Sequence, residues 1–83
     1  MYKLVIAPQA QRELKKIPKR YQYNIRFALK ELREDPLLGK KLGRELTGKF
    51  SIKIGVYRII YKVSEKDKII YVPTAGHRSG VYK

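Results

Sequence analysis

The sequence predicts an α+β fold: an N-terminal strand, a helical hairpin, then a three-stranded antiparallel meander, forming one small sheet with helices on one face. Three observations predict it. Apolar residues recur at helical spacing between residues 8 and 34. They alternate at strand spacing between residues 50 and 72. Prolines and glycines stand where the period changes, at Pro8, Pro18, Pro36, Gly55 and Pro73.

Tyr2-Lys3-Leu4-Val5-Ile6 is rich in strand formers and reads as the first strand, ended by Ala7-Pro8. Pro8 suits the first turn of a helix, where a missing N–H is no loss. Ala10, Leu14 and Ile17 follow at i, i+4 and i+7, one helix face that Pro18 closes. A second helix is expected from about Arg20 to Glu34, with Tyr21, Ile25, Ala28, Leu29 and Leu32 as its apolar stripe. Asp35-Pro36 stops it, because the residue before a proline is pushed out of the helical region. Residues 37–48 carry Gly39, Gly43 and Gly48 and read as a connecting loop. Lys40, in that loop, is expected to contribute charge alone. Phe50–Ile54, Tyr57–Val63 and Ile69–Val72 are the meander strands, the last ending at Pro73. Consecutive strands with tight connections pair antiparallel. The helix stripes must cover one sheet face, which leaves the other open.

Eighty-three residues make one domain, 1–83, with a small core, because a chain of this size buries only about 60–65% of its unfolded surface. The absence of cysteine excludes disulfides, thiolate metal sites and cysteine nucleophiles. One histidine cannot build a multi-histidine metal site, so no metal and no small-molecule cofactor is expected. No apolar run approaches the roughly 20 residues of a membrane span, so no membrane partner is expected and the cytoplasm is the expected location. The dominant number is the formal net charge of +13. Residues 1–35 hold nine basic and four acidic groups, net +5, and residues 36–83 hold eleven and three, net +8. Such a field attracts a polyanion, with nucleic acid first, and an acidic protein or an anionic membrane served by the same electrostatics.

Strand alternation selects the candidates. If Ile52 and Ile54 face the helices, Lys53 faces out, and Arg58 on the next strand joins it. His77 and Arg78 follow the third strand, and Tyr82 lies within reach. The open face is therefore expected to gather Lys53, Arg58, His77, Arg78 and Tyr82. Each has an ordinary reading as well: solvated surface for Lys53, a packed stem for Arg58, a satisfied polar group for His77, packing for Tyr82. Together they suit RNA cleavage. RNA carries its own nucleophile, the 2′-hydroxyl beside each phosphate. The reaction needs a base for that hydroxyl, cations for the charge growing on phosphate and an acid for the departing 5′-oxygen. Arginine meets phosphate oxygens in pairs and keeps its charge, and a tyrosine can stack on a base.

The stretch Ser51-Ile52-Lys53-Ile54-Gly55-Val56-Tyr57-Arg58-Ile59-Ile60-Tyr61, followed by Gly76-His77-Arg78 and Val81-Tyr82, resembles the RelE/ParE toxin superfamily. Leu14-Lys15-Lys16-Ile17-Pro18, Ala28-Leu29 and Asp35-Pro36-Leu37 resemble its helical hairpin and the loop that follows. The resemblance implies a RelE-like toxin domain of a type II toxin–antitoxin module. In the RelE branch it implies a metal-independent endoribonuclease that cuts mRNA in the ribosomal A site, so mRNA and ribosomal RNA are implied partners. An acidic, RelB-like antitoxin is the implied neutralising partner. The ParE branch implies inhibition of DNA gyrase with no cleavage, and a plain nucleic-acid-binding module is a third reading. The resemblance places Arg58 and Arg78 on the scissile phosphate and Tyr82 against the substrate, with Lys53 matching a strand lysine. A second lysine of some relatives is replaced by Ser51. The general base is Lys53 or His77.

Overall fold

The computed structural model describes residues 1–42, 48–77 and 80. In chain order these form β1 (Lys3–Ile6), α1 (Pro8–Lys15), α2 (Gln22–Glu34), β2 (Lys40–Lys41), β3 (Lys49–Ile54), β4 (Tyr57–Ser64) and β5 (Ile69–His77). The expected α+β class and the antiparallel meander are found. The sheet has five strands in the order β1-β5-β4-β3-β2. β1 pairs parallel to β5, while the other pairs are antiparallel. Among the described residues no helix is long and apolar enough to cross a membrane.

Pro8 begins α1 as its spacing implies, and Ala10 and Leu14 are buried. The end of α1 is closed by a side chain from the next helix: Gln22 Nε2 donates to the Leu14 and Ile17 carbonyls, both at 2.9 Å. The Leu14 carbonyl also accepts from Ile17 N at 3.2 Å, and the amide adds a second donor there and one at the Ile17 carbonyl beyond the helix end. A 3₁₀ turn at Lys19–Tyr21 leads into α2, which starts two residues later than the periodicity predicts. Ile25, Leu29 and Leu32 of α2 pack with Ala10, Leu14 and Ile17 onto Ile54, Ile59, Ile70 and Val72 of the sheet. Burial of each leucine, isoleucine and valine in this set contributes up to roughly 1.5–3 kcal/mol. The start of β1 is tied to the end of α2, where Tyr2 N donates to the Arg33 carbonyl at 2.9 Å and Arg33 Nε donates to the Tyr2 carbonyl at 3.0 Å.

Three features depart from the sequence reading. Lys40 and Lys41 form an edge strand on β3 rather than loop. β5 does not stop at Pro73 but runs through it to His77. It does so across a bulge: Ile60 pairs with Thr74 and Lys62 with Tyr71, so Val72 and Pro73 together oppose Tyr61. A bulge breaks the ladder where proline has no N–H to donate, which makes the strand compatible with Pro73. The extra residue also shifts the alternation. Ile70 and Val72 point to the helices, and so does Ala75, three residues further on. Glu13 of α1 fastens this segment, accepting from Thr74 Oγ1 at 2.8 Å and from Ala75 N at 3.3 Å.

Tyr61 anchors the chain after α2. Its ring is fully buried and stacks on Phe50 at a centroid distance of 5.3 Å. Its hydroxyl donates to the Pro36 carbonyl at 3.0 Å and accepts from Gly39 N at 2.8 Å. A Cβ on Gly39 would collide with the Tyr61 hydroxyl and stand 2.7 Å from the Ser51 carbonyl, so only glycine passes there. Burial raises the Tyr61 pKa above a tyrosine's ordinary value, the Gly39 N–H opposes that shift, and the Asp35 carboxylate adds to it. The folded state therefore holds this proton more tightly than the unfolded chain does. The associated stability is fully present below about pH 10, where unfolded tyrosine ionises, and is lost as pH rises through the higher folded value. Tyr61→Phe cannot titrate. The stability advantage of wild type over Tyr61→Phe is expected to shrink in denaturant titrations as pH rises past 10. An advantage constant across that range would show that folding does not raise the pKa of this phenol.

Candidate functional site

The β3–β4 hairpin sets the geometry. Ile54 pairs with Tyr57, leaving Gly55-Val56 as a two-residue turn with Gly55 at φ +61. A short turn with left-handed φ is the kind that matches strand twist and fixes register. That register puts Lys53 directly opposite Arg58, both on the face away from the helices. Side chains so paired have Cβ atoms about 4.5–5.5 Å apart. Like charges in that position destabilise a sheet, so the pairing has a local cost that an anion would relieve. Arg58 is half-buried, and its Nη1 donates to the Gly55 carbonyl at 3.3 Å and the Tyr57 carbonyl at 3.1 Å. The turn thus fixes where the guanidinium sits.

These two cations line a groove of about 580 Å³, together with Leu38, Gly39, Lys40 and Ser51. Its floor is sheet, and its flank is the segment that Tyr61 holds through Pro36 and Gly39. The groove is basic, half-open and anchored to rigid elements. Its lining cations suit it to an anion. Among the described residues no three His, Cys, Asp or Glu side chains gather into a possible metal site.

His77 is placed elsewhere. It pairs with Tyr57, not Arg58, and its ring meets Tyr57 edge-on at 5.9 Å. Together with Glu13, Lys16 and Tyr57 it lines a separate cavity of about 260 Å³ on the helix side. The expectation that His77 shares the open face with Lys53 and Arg58 is corrected by the bulge. One extra residue in β5 flips the phase of everything after it. Gly76 takes the position opposite Arg58. Arg78 and Tyr82 lie outside the described residues. Lys40 is the groove residue that the sequence reading misses, since a two-residue strand beside a glycine carries no periodic signal.

A fold of this kind with a basic groove on its open face defines a class for which relatives are known. Residues 4–82 match the family model described as the ParE toxin of the type II toxin–antitoxin system parDE. Toxin RelG of Mycobacterium tuberculosis is 33% identical over 84 residues, covering 99% of this chain and 97% of that protein. The toxin–antitoxin complex RelBE from the same organism contains a chain 34% identical, with a TM-score of 0.81, covering 93% of this chain and 98% of that one. The archaeal RelE–RelB complex from Pyrococcus horikoshii contains a chain 26% identical, also at a TM-score of 0.81, covering 96% and 98%. The chain belongs to the RelE/ParE superfamily, the toxins of type II toxin–antitoxin systems.

Proposed function

We propose that this toxin is a metal-independent endoribonuclease that cleaves mRNA in the ribosomal A site. The observation that carries the reading is the Lys53–Arg58 pair, two cations set opposite each other in one groove by the hairpin register. Arg58 grips the scissile phosphate through its planar fork and offsets the charge that grows on it during the reaction. Lys53 stands beside that phosphate, and in its neutral amine form it accepts the 2′-hydroxyl proton. The 2′-oxygen then bonds to phosphorus, the bond to the 5′-oxygen breaks, and the Lys53 ammonium so formed returns a proton to that departing oxygen. Arg78 is the second phosphate cation and Tyr82 the stacking group. His77, on the helix-covered side with Tyr57, is the weaker candidate for the base. An acidic, RelB-like antitoxin is the neutralising partner, in keeping with the charge of +13 and with the related RelE–RelB complexes.

The product end tests the mechanism. Purified protein added to a translation extract is expected to yield fragments with a 2′,3′-cyclic phosphate or 3′-phosphate and a 5′-hydroxyl. A 3′-hydroxyl end would point to attack by an activated water and sink the mechanism. Ribosomes need Mg²⁺ themselves, so chelation does not discriminate. The match to the ParE toxin model favours a second reading, inhibition of DNA gyrase without cleavage. Supercoiling blocked by a protein that cuts no mRNA would put that reading in place of the first.

A further inference from the structure

The outer strand of the groove carries a cation to which the reaction above gives no task. Lys40 pairs with Ser51 across the β2–β3 ladder, so it shares a face with Ser51 and Lys53. Its side chain is exposed and lines the same groove as Lys53 and Arg58. Lys41, the next residue, pairs with Phe50 and lines a different cavity of about 210 Å³. The two lysines are equal in charge, exposure and strand, and differ in face. Strands stand about 4.8 Å apart and residues rise about 3.3 Å along them. From the register, the Lys40 Cα lies roughly 8 Å from that of Lys53 and roughly 12 Å from that of Arg58. That is too far to share one phosphate with Arg58 and suited to a neighbouring one. The position is also fixed. Gly39, just before it, is clamped between Tyr61 and the Ser51 carbonyl, so β2 cannot drift from β3 without breaking the Tyr61 hydrogen bonds.

We propose that Lys40 is a substrate-binding residue that holds the phosphate next to the scissile one, extending the groove from a single-phosphate site to a track for single-stranded RNA. Lys40 takes no part in proton transfer. It aligns the chain so that one phosphate falls between Lys53 and Arg58. This inference rests on the reading of that groove as an RNA site.

Counterion release makes the contact measurable. Each phosphate neutralised on a single strand adds about 0.7 to the slope of log affinity against log salt. The probe is a short single-stranded RNA with a 2′-deoxy residue at every position next to a candidate scissile phosphate, so that it binds and is not cut. Wild type, Lys40→Ala and Lys41→Ala are titrated with it across a salt series, and their thermal melts are compared. Lys40→Ala is expected to bind about fivefold more weakly at 0.1 M salt and to lose about 0.7 from the slope. Lys41→Ala, with the same loss of net charge, should match wild type. Lys40→Arg should keep the slope. In cleavage assays Lys40→Ala should raise KM and leave kcat close to wild type. Equal losses in Lys40→Ala and Lys41→Ala would reduce the effect to diffuse charge and overturn the proposal, as would an unchanged slope in Lys40→Ala. A wild type that binds no RNA overturns it too. A wild type that binds the probe but cuts no mRNA defeats the nuclease reading alone, and the slopes still decide the role of Lys40.

Discussion

Arg58→Ala is expected to cut single-turnover mRNA cleavage on programmed ribosomes by on the order of a hundredfold or more. The basis is the place of its guanidinium, held by two carbonyls of the Gly55 turn in the groove beside Lys53. A positioned cation acts on charge that develops only as the reaction proceeds, so its loss should appear in the rate constant more than in affinity. The effect on stability should be small. Arg58→Ala removes two hydrogen bonds to carbonyls next to an exposed turn and relieves the repulsion from Lys53. Arg58→Lys should recover part of the rate, because an ammonium supplies charge but cannot bridge two phosphate oxygens. A folded Arg58→Ala protein that cuts near the wild-type rate and still arrests growth would remove Arg58 from the reaction. Arg78→Ala tests the second phosphate cation in the same assay.

Tyr61→Ala is expected to have the largest effect on the fold. Deleting a fully buried aromatic ring costs about 3–5 kcal/mol through lost contacts and the cavity left behind. Here the Gly39 N–H and the Pro36 carbonyl lose their partner as well, which adds the cost of polar groups left unpaired near the core. A chain of 83 residues has roughly 4–12 kcal/mol of stability in all. The variant should melt at least 20 °C lower than wild type, or fail to fold. Tyr61→Phe keeps the ring on Phe50 and loses the hydroxyl, so its cost should be about 1–2 kcal/mol. In that variant Gly39, and β2 after it, lose their tie to the Tyr61 hydroxyl, and RNA binding through Lys40 should weaken before the core does. A Tyr61→Ala protein that melts within a few degrees of wild type would show that the segment after α2 is held by something other than this side chain.

How much was legible depends on the range over which each feature is encoded. The two helices follow from stripes of apolar residues at 3.6 spacing, and Ile25, Leu29 and Leu32 are buried where that spacing puts them. The meander follows from alternation and from Gly55, and the Lys53–Arg58 pairing follows from a two-residue turn. These are local signals. The start of α2 shifted because a 3₁₀ turn after Pro18 satisfies the same apolar spacing at Tyr21.

Local spacing, turn residues and composition suffice for the α+β class, the helical hairpin, the shared open face of Lys53 and Arg58, the excess of positive charge and the family resemblance. Tertiary structure alone decided three things. It paired β1 with β5, a parallel contact between chain segments more than sixty residues apart, for which no local pattern exists. It made an edge strand of Lys40 and Lys41, because Tyr61 draws Gly39 against β3. It turned His77 away from Arg58, because β5 admits Pro73 through a bulge that Glu13 secures from α1. In a strand the side-chain period is two, so one inserted residue reverses every face beyond it. Whether that residue is inserted depends on the partner strand and the helix above it, and neither is adjacent in sequence.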